Sequence, residues 1–246
     1  MTQIGIIVAL PGEKKTLSKL TNKPGYTNNP DTRVCLSGVG PSNAYRTANM
    51  LIKAGCNALM SWGCAAALAD SMAPGDCLLP DSIIAEHNSS CLAIDQDWHN
   101  KLKARLSNAM HIHTSPLVSS QKLVASADEK YALGARTGAV GLDMESAAIA
   151  DVASKYSIPF VIVRCIADPV SMSLPESVAI AMTPDGSINI LKLLIFTARH
   201  PSNIHALIQL GIHFKAAQKI LTKVAQILQP DFCIPEQMGK DPAIQL

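Results

Sequence analysis

Charge is scarce in this sequence. Only 16% of its 246 residues are Asp, Glu, Lys or Arg, and they leave a net charge of +2. Nucleic-acid binding needs a concentrated basic face, which so small a balance does not supply. Aromatic residues are few as well, at 4%. Long apolar runs are missing: a membrane-crossing helix needs about 18 uncharged apolar residues in succession, and no such run occurs. The opening residues Met1-Thr2-Gln3-Ile4 lack the basic segment of a secretory signal, so a cytoplasmic protein is expected. Seven cysteines, odd in number and scattered without a CxxC pair, read as reduced, mostly buried thiols. The seven histidines form no HExxH-like pattern, and His111-Ile112-His113 reads as a polar strand edge, so no metal site is expected.

What the sequence does have is apolar material, 48% of it, enough for one sizeable core. Short β-branched runs bounded by Gly, Pro or Asp predict strands over 4–10, 33–37, 58–62, 77–85, 112–119 and 159–166. Between them, helical spacing predicts helices over 41–54, 97–108, 126–133 and 143–155. Strands apolar on both faces that alternate with helices imply a single α/β domain, its central mixed, mostly parallel sheet flanked by helices. After the turn signal Pro184-Asp185-Gly186 the pattern is helical over 188–199 and 202–228. The domain is therefore placed at 1–228, with a loose polar tail over 229–246.

Ligands bind in the loops that follow the strands of such a sheet. Here those loops read Leu10-Pro11-Gly12-Glu13, Ser37-Gly38-Val39-Gly40, Ser61-Trp62-Gly63-Cys64-Ala65-Ala66-Ala67 and Ile166-Ala167-Asp168-Pro169. A fifth element, Gly141-Leu142-Asp143-Met144-Glu145-Ser146, sets a carboxylate near a helix start. SGVG alone would hint at a dinucleotide fold, but the third glycine and the acid about 20 positions on are missing.

Taken in order, Glu13 after the first strand, SGVG, WGCAAAL, Pro74-Gly75-Asp76, GLDMES and IVRCIADP resemble the nucleoside phosphorylase and nucleosidase superfamily, over residues 4–170. The pattern is most similar to adenine-releasing members such as the methylthioadenosine/S-adenosylhomocysteine nucleosidases. Leu174-Pro175-Glu176, Pro184-Asp185-Gly186 and Arg199-His200-Pro201 resemble the hopanoid-associated phosphorylase branch, which frees adenine from adenosylhopane.

The resemblance implies roles. Asp168 would protonate N7 of the purine, a task suited to a buried carboxylic acid. Glu13 would orient and deprotonate the attacking water. Glu145 would accept the ribose 2′- and 3′-hydroxyls, with Met144 against the sugar. Leu123, Val124, Cys64 and Ala65 would surround the base. Two departures stand out. Relatives often carry an aromatic at Leu123, and a Ser at Cys64 that bonds the acid, whereas a thiol is a weak donor.

Phosphate is the rival nucleophile, and Gly12, Lys15 and Arg46 are the candidates to hold it. The Arg that many phosphorylases place ahead of Gly63 is absent, Ser61-Trp62 standing there, which favours hydrolysis. No cofactor is implied. The expected partners are a nucleoside, further copies of the chain and, if the 5′ group is a large hydrocarbon, a membrane surface. The alternatives are a methylthioadenosine/S-adenosylhomocysteine nucleosidase, a phosphate-dependent purine nucleoside phosphorylase, and an inactive nucleoside-binding module.

Overall fold

The run Phe160–Asp168 is buried at every position, and Ala58–Ala67 at all but Cys64 and Ala66. Strands without a polar face belong in the middle of a sheet covered on both sides. These two pair in parallel at its centre. The structure, a computed structural model, describes residues 2–18, 31–174 and 203–233. In chain order the elements are β1 Ile4–Val8, α1 Pro11–Ser18, β2 Thr32–Leu36, α2 Pro41–Lys53, β3 Ala58–Ala67, β4 Cys77–Leu78, β5 Ile83–Ala85 and β6 Ser90–Leu92. They continue with α3 Gln96–Ser107, β7 Ile112–His113, β8 Leu117–Ser119, α4 Ala127–Thr137, β9 Gly141–Asp143, α5 Ser146–Lys155, β10 Phe160–Asp168 and α6 Asn203–Leu228.

The ten strands of the described residues join one mixed sheet, in which the antiparallel pairs are β3–β9, β4–β10 and β5–β6. β3 is its pivot. Its first half lies between β1 and β10, with Ile7 opposite Ser61. Further on it takes β9 in place of β1, with Ala66 opposite Leu142. Between Ser61 and Ala66 that side of β3 carries no ladder partner among the described residues, so a crevice opens where the sheet changes neighbours.

Helices cover both faces. Ala44, Ala48 and Leu51 of α2 pack with Ile149 and Val152 of α5 on one side. On the other, Trp98 and Leu102 of α3 meet Leu221, Val224 and Leu228 of α6. α4 is capped at both ends: Ser126 and Glu129 form a reciprocal capping box, and Gly138 ends it at φ 70°. A Cβ on Gly134 would lie 2.4 Å from the Leu68 carbonyl, so this glycine lets α4 sit hard against the strand layer.

The expected fold class is the observed one, with differences of detail. Segments 77–85 and 112–119 are each two short strands, because Pro80 and Pro116 have no N–H to give a ladder. The stretch after Trp62 continues as strand to Ala67 instead of turning into a loop. Residues 11–13, read as part of a loop, open α1, and the helix expected from 143 starts at Ser146 because β9 occupies 141–143. At least the start of the tail is docked: Trp98 Nε1 donates to the Phe232 carbonyl (2.8 Å), and Phe232 stacks edge-on against Trp62. The helix expected over 188–199, the tail beyond 233 and the motifs Pro184-Asp185-Gly186 and Arg199-His200-Pro201 lie outside the described residues. None of the described helices is long and apolar enough to cross a membrane.

Candidate active site

The crevice at the β3 switch point widens into a cavity of about 430 Å³. Ala9 and Leu10 border it from the end of β1, Cys64–Ala66 from β3, and Asp168 from the end of β10. Met144 and Glu145 enter between β9 and α5, and Leu123 and Val124 after β8. Leu207, Leu210, Gly211 and Phe214 of α6 close the remaining wall. Phe214 is the one aromatic residue lining the cavity among those described, and Lys122 the one cation.

Glu13 is 3% exposed. As the third residue of α1 it reaches back to cap its own helix, its Oε2 accepting the N–H groups of Ala9 (3.0 Å) and Leu10 (2.9 Å). Its Oε1 accepts the Cys64 N–H (2.8 Å), a donor left free where β3 has lost a neighbour. A Cβ on Gly63 would lie 2.6 Å from that oxygen, so only glycine admits the carboxylate here. Burial lifts the Glu13 pKa above its ordinary value; the Arg164 charge and the three N–H donors restrain the rise.

Glu145 accepts the Gly40 N–H at 2.7 Å. Gly40 sits at φ 98°, a left-handed conformation that favours glycine, at the N-cap of α2. Burial first, and then the nearby Asp143 carboxylate, push Glu145 up to about 7. Beneath it lies a closed polar network that the sequence reading quoted but gave no role. Arg164 donates to Asp143 Oδ2 through Nε (2.9 Å) and Nη2 (2.6 Å), and to Ser61 Oγ (2.7 Å); Ser146 Oγ bonds both Asp143 and Ser61. The network ties β10, β3 and the β9–α5 corner together and so fixes the backbone that carries Met144 and Glu145.

Asp168, which also borders the cavity, is met by a residue that no motif singled out. Lys130 of α4, fully buried, places Nζ 2.6 Å from Asp168 Oδ2. Its signal was its spacing: Lys130 falls on the same stripe as Leu133 and Gly134, a lysine where a helix turns its apolar face inward. Asp168 Oδ1 is buried without a partner among the described residues. Burial raises the carboxyl above its ordinary value, while the Lys130 cation opposes this. The Cys64 thiol is driven well up, by burial first and then by Glu13, so it has little thiolate character.

Eight of the eleven residues singled out in the sequence therefore border one cavity: Glu13, Cys64, Ala65, Leu123, Val124, Met144, Glu145 and Asp168. Gly12, Lys15 and Arg46 do not. Gly12 faces Gln218 and Phe214 of α6 instead, and Arg46 is exposed and donates to Asn43 (2.9 Å).

Residues 3–182 match the phosphorylase superfamily. The chain belongs to that superfamily. Its enzyme class is therefore nucleosidase or nucleoside phosphorylase. A comparison with curated proteins returned no match. Among solved structures, futalosine hydrolase of Helicobacter pylori superposes with a TM-score of 0.69 at 15% identity, covering 92% of this chain and 97% of that one. A 5′-methylthioadenosine/S-adenosylhomocysteine nucleosidase from Neisseria meningitidis, in complex with methylthio-immucillin-A, reaches 0.69 at 16% identity over 93% and 99% of the two chains. The enzyme of that name from S. pneumoniae reaches 0.66 at 18% over 92% and 100%. At these identities the likeness establishes a shared fold.

In this phosphorylase-superfamily chain the pKa of Glu145 has a measurable consequence. If Glu145 accepts the sugar hydroxyls, as the resemblance implies, it does so best when ionised, so kcat/KM should rise with pH through about 7, which a pH–rate profile reads directly. A profile flat across neutrality would show that Glu145 does not meet substrate.

Proposed function

We propose that the chain releases adenine from an adenine nucleoside, with water as the nucleophile. The observation that carries this reading is the meeting of Glu13, Glu145 and Asp168 in one otherwise mainly apolar cavity; they are three of its four buried carboxyl groups, and the fourth, Asp143, is held by Arg164. Breaking the ribose–base bond builds positive charge on the sugar and negative charge on the base. Asp168 gives its proton to N7 as the bond electrons pass to the base. Glu145 accepts the 2′- and 3′-hydroxyls, and its charge opposes the cation forming on the ring. Glu13 takes a proton from the water that attacks C1′.

Water is favoured over phosphate because a dianion needs cations or a nest of N–H groups. Lys122 alone supplies a cation among the described lining residues, and the N–H groups of Ala9, Leu10 and Cys64 are already taken by Glu13. Incubating the protein with adenosine, 5′-methylthioadenosine and S-adenosylhomocysteine, with and without phosphate, tests both points. Adenine should appear at equal rates in either buffer. Release only with phosphate would restore the phosphorylase reading.

The finer proposal concerns the 5′ group. Leu207, Leu210 and Phe214 give the cavity an apolar wall, and the same helix exposes Ile204, Ile208 and Ile212 by 43%, 56% and 59%. A nucleoside with a large hydrocarbon at its 5′ carbon, such as adenosylhopane in hopanoid biosynthesis, would use that wall, and a membrane surface would meet the stripe. Small 5′-thioether nucleosides are the alternative substrates. Rates on 5′-alkylthioadenosines of growing chain length separate the two, since a site for hydrocarbon gains with length and a closed one loses. Assembly into a homo-oligomer belongs to the same reading, and light scattering tests it.

A further inference from the structure

We propose that Lys130 is a positioning residue for the release of the base: it pins one oxygen of Asp168 so that the other alone faces the leaving group. The proposal rests on the reading of Asp168 given above. An ammonium has three donors, and all three are engaged here: Asp168 Oδ2 at 2.6 Å, the Met172 carbonyl at 2.7 Å and the Pro169 carbonyl at 3.2 Å. Lys130 thus has no hydrogen bond left for substrate and acts through Asp168. Its two carbonyl partners belong to the turn that follows β10, so it holds both the carboxyl and the backbone that carries it.

Stability alone does not account for a lysine in this place. Fully buried lysines are rare, and an apolar side chain of similar size often serves folding as well as a buried ion pair or better. The cavity supplies the other half of the argument. Asp168 borders it, and Oδ1 is buried with no partner among the described residues, a polar atom left unmet beside the cavity.

The chemistry follows from the charges around the carboxyl. Lys130 faces it from α4 and His213 from α6, both favouring the carboxylate, while Ala66 opposite it on β3 is neutral. Burial favours the protonated carboxyl, and the lysine opposes that. When the C1′–N9 bond breaks, its electron pair goes to the base and the Oδ1 proton goes to N7. A neutral base departs, and the carboxylate left behind is paired at once with the ammonium.

The test is a double-mutant cycle of Lys130→Met and Asp168→Asn, with Lys130→Arg alongside, assayed with 5′-methylthioadenosine. Lys130→Met should lower kcat by about 10²-fold, as misplacement of a reacting group does, with KM little changed. Activity needs the protonated acid and is lost as pH rises through its pKa. Without the cation that alkaline limb should move to higher pH, and Lys130→Arg should bring it back. In the Asp168→Asn background, Lys130→Met should cost no further rate. This comparison does not use the Lys130→Met single variant, so it stands even if that variant does not fold; in Asp168→Asn the Lys130 ammonium keeps the Pro169 and Met172 carbonyls. Wild-type kcat with an unmoved limb in Lys130→Met would overturn the proposal, as would a full loss persisting in the Asn background. If Asp168→Asn by itself kept wild-type turnover, the reading of Asp168 would fall first, which separates the two failures.

Discussion

Asp168→Asn should lower kcat by about 10²–10⁴-fold while nucleoside binding stays measurable, the range that a general acid supplies. The amide has the same shape, can still accept from Lys130 and can donate to N7, so the cavity and the ground-state contact survive. It cannot complete a proton transfer. The base must then leave as an anion or take its proton from solvent, and solvent is scarce beside a carboxyl that is 8% exposed. Single-turnover rates with ligand affinity measured separately would show a fall in rate without a matching fall in binding. Retention of more than about half the wild-type rate would exclude Asp168 as the acid, since even the low end of that range is 10²-fold.

Glu145→Gln should act on rate, affinity and stability, with opposite signs. The sugar hydroxyls are held in both ground and transition states, so KM rises and kcat falls together, for a loss of about 10²-fold or more in kcat/KM. Stability moves the other way. The folded pKa is raised to about 7, so the stability it contributes is present below the ordinary carboxylate range and lost as pH rises through about 7. A neutral glutamine escapes that loss. The variant should therefore melt higher than wild type at alkaline pH, by up to about 3 kcal/mol in unfolding free energy, and match it in acid. A variant that is both slower and less stable at alkaline pH would mean that Glu145 holds the fold together instead of storing cost for function.

How far this was legible in the sequence varied with the kind of signal. The central strands declared themselves, because a sequence such as Phe160-Val161-Ile162-Val163 has no polar face to turn outward. Glu13, Glu145 and Asp168 were legible through the motifs around them, each set by a local backbone need: a helix cap, a glycine N-cap opposite, a strand end. β6 and β9 were not, since three residues hold no period. The run Ser61 to Ala67 misled because its glycine and alanines look like a loop, yet small residues are what a strand needs where carboxylates press against it. Lys130 was invisible as chemistry. It belongs to no motif, and only the fold brings α4 within 2.6 Å of a strand end that lies 38 residues on. Leu123 stands where an aromatic was expected, while Phe214 reaches the same cavity from α6.

The most direct test of the account is a product analysis of 5′-methylthioadenosine turned over in phosphate buffer made with water labelled in heavy oxygen. The account predicts adenine and methylthioribose, with one labelled oxygen at C1′ of the sugar. Intact nucleoside after prolonged incubation with folded protein, or a sugar phosphate without the label, would contradict it.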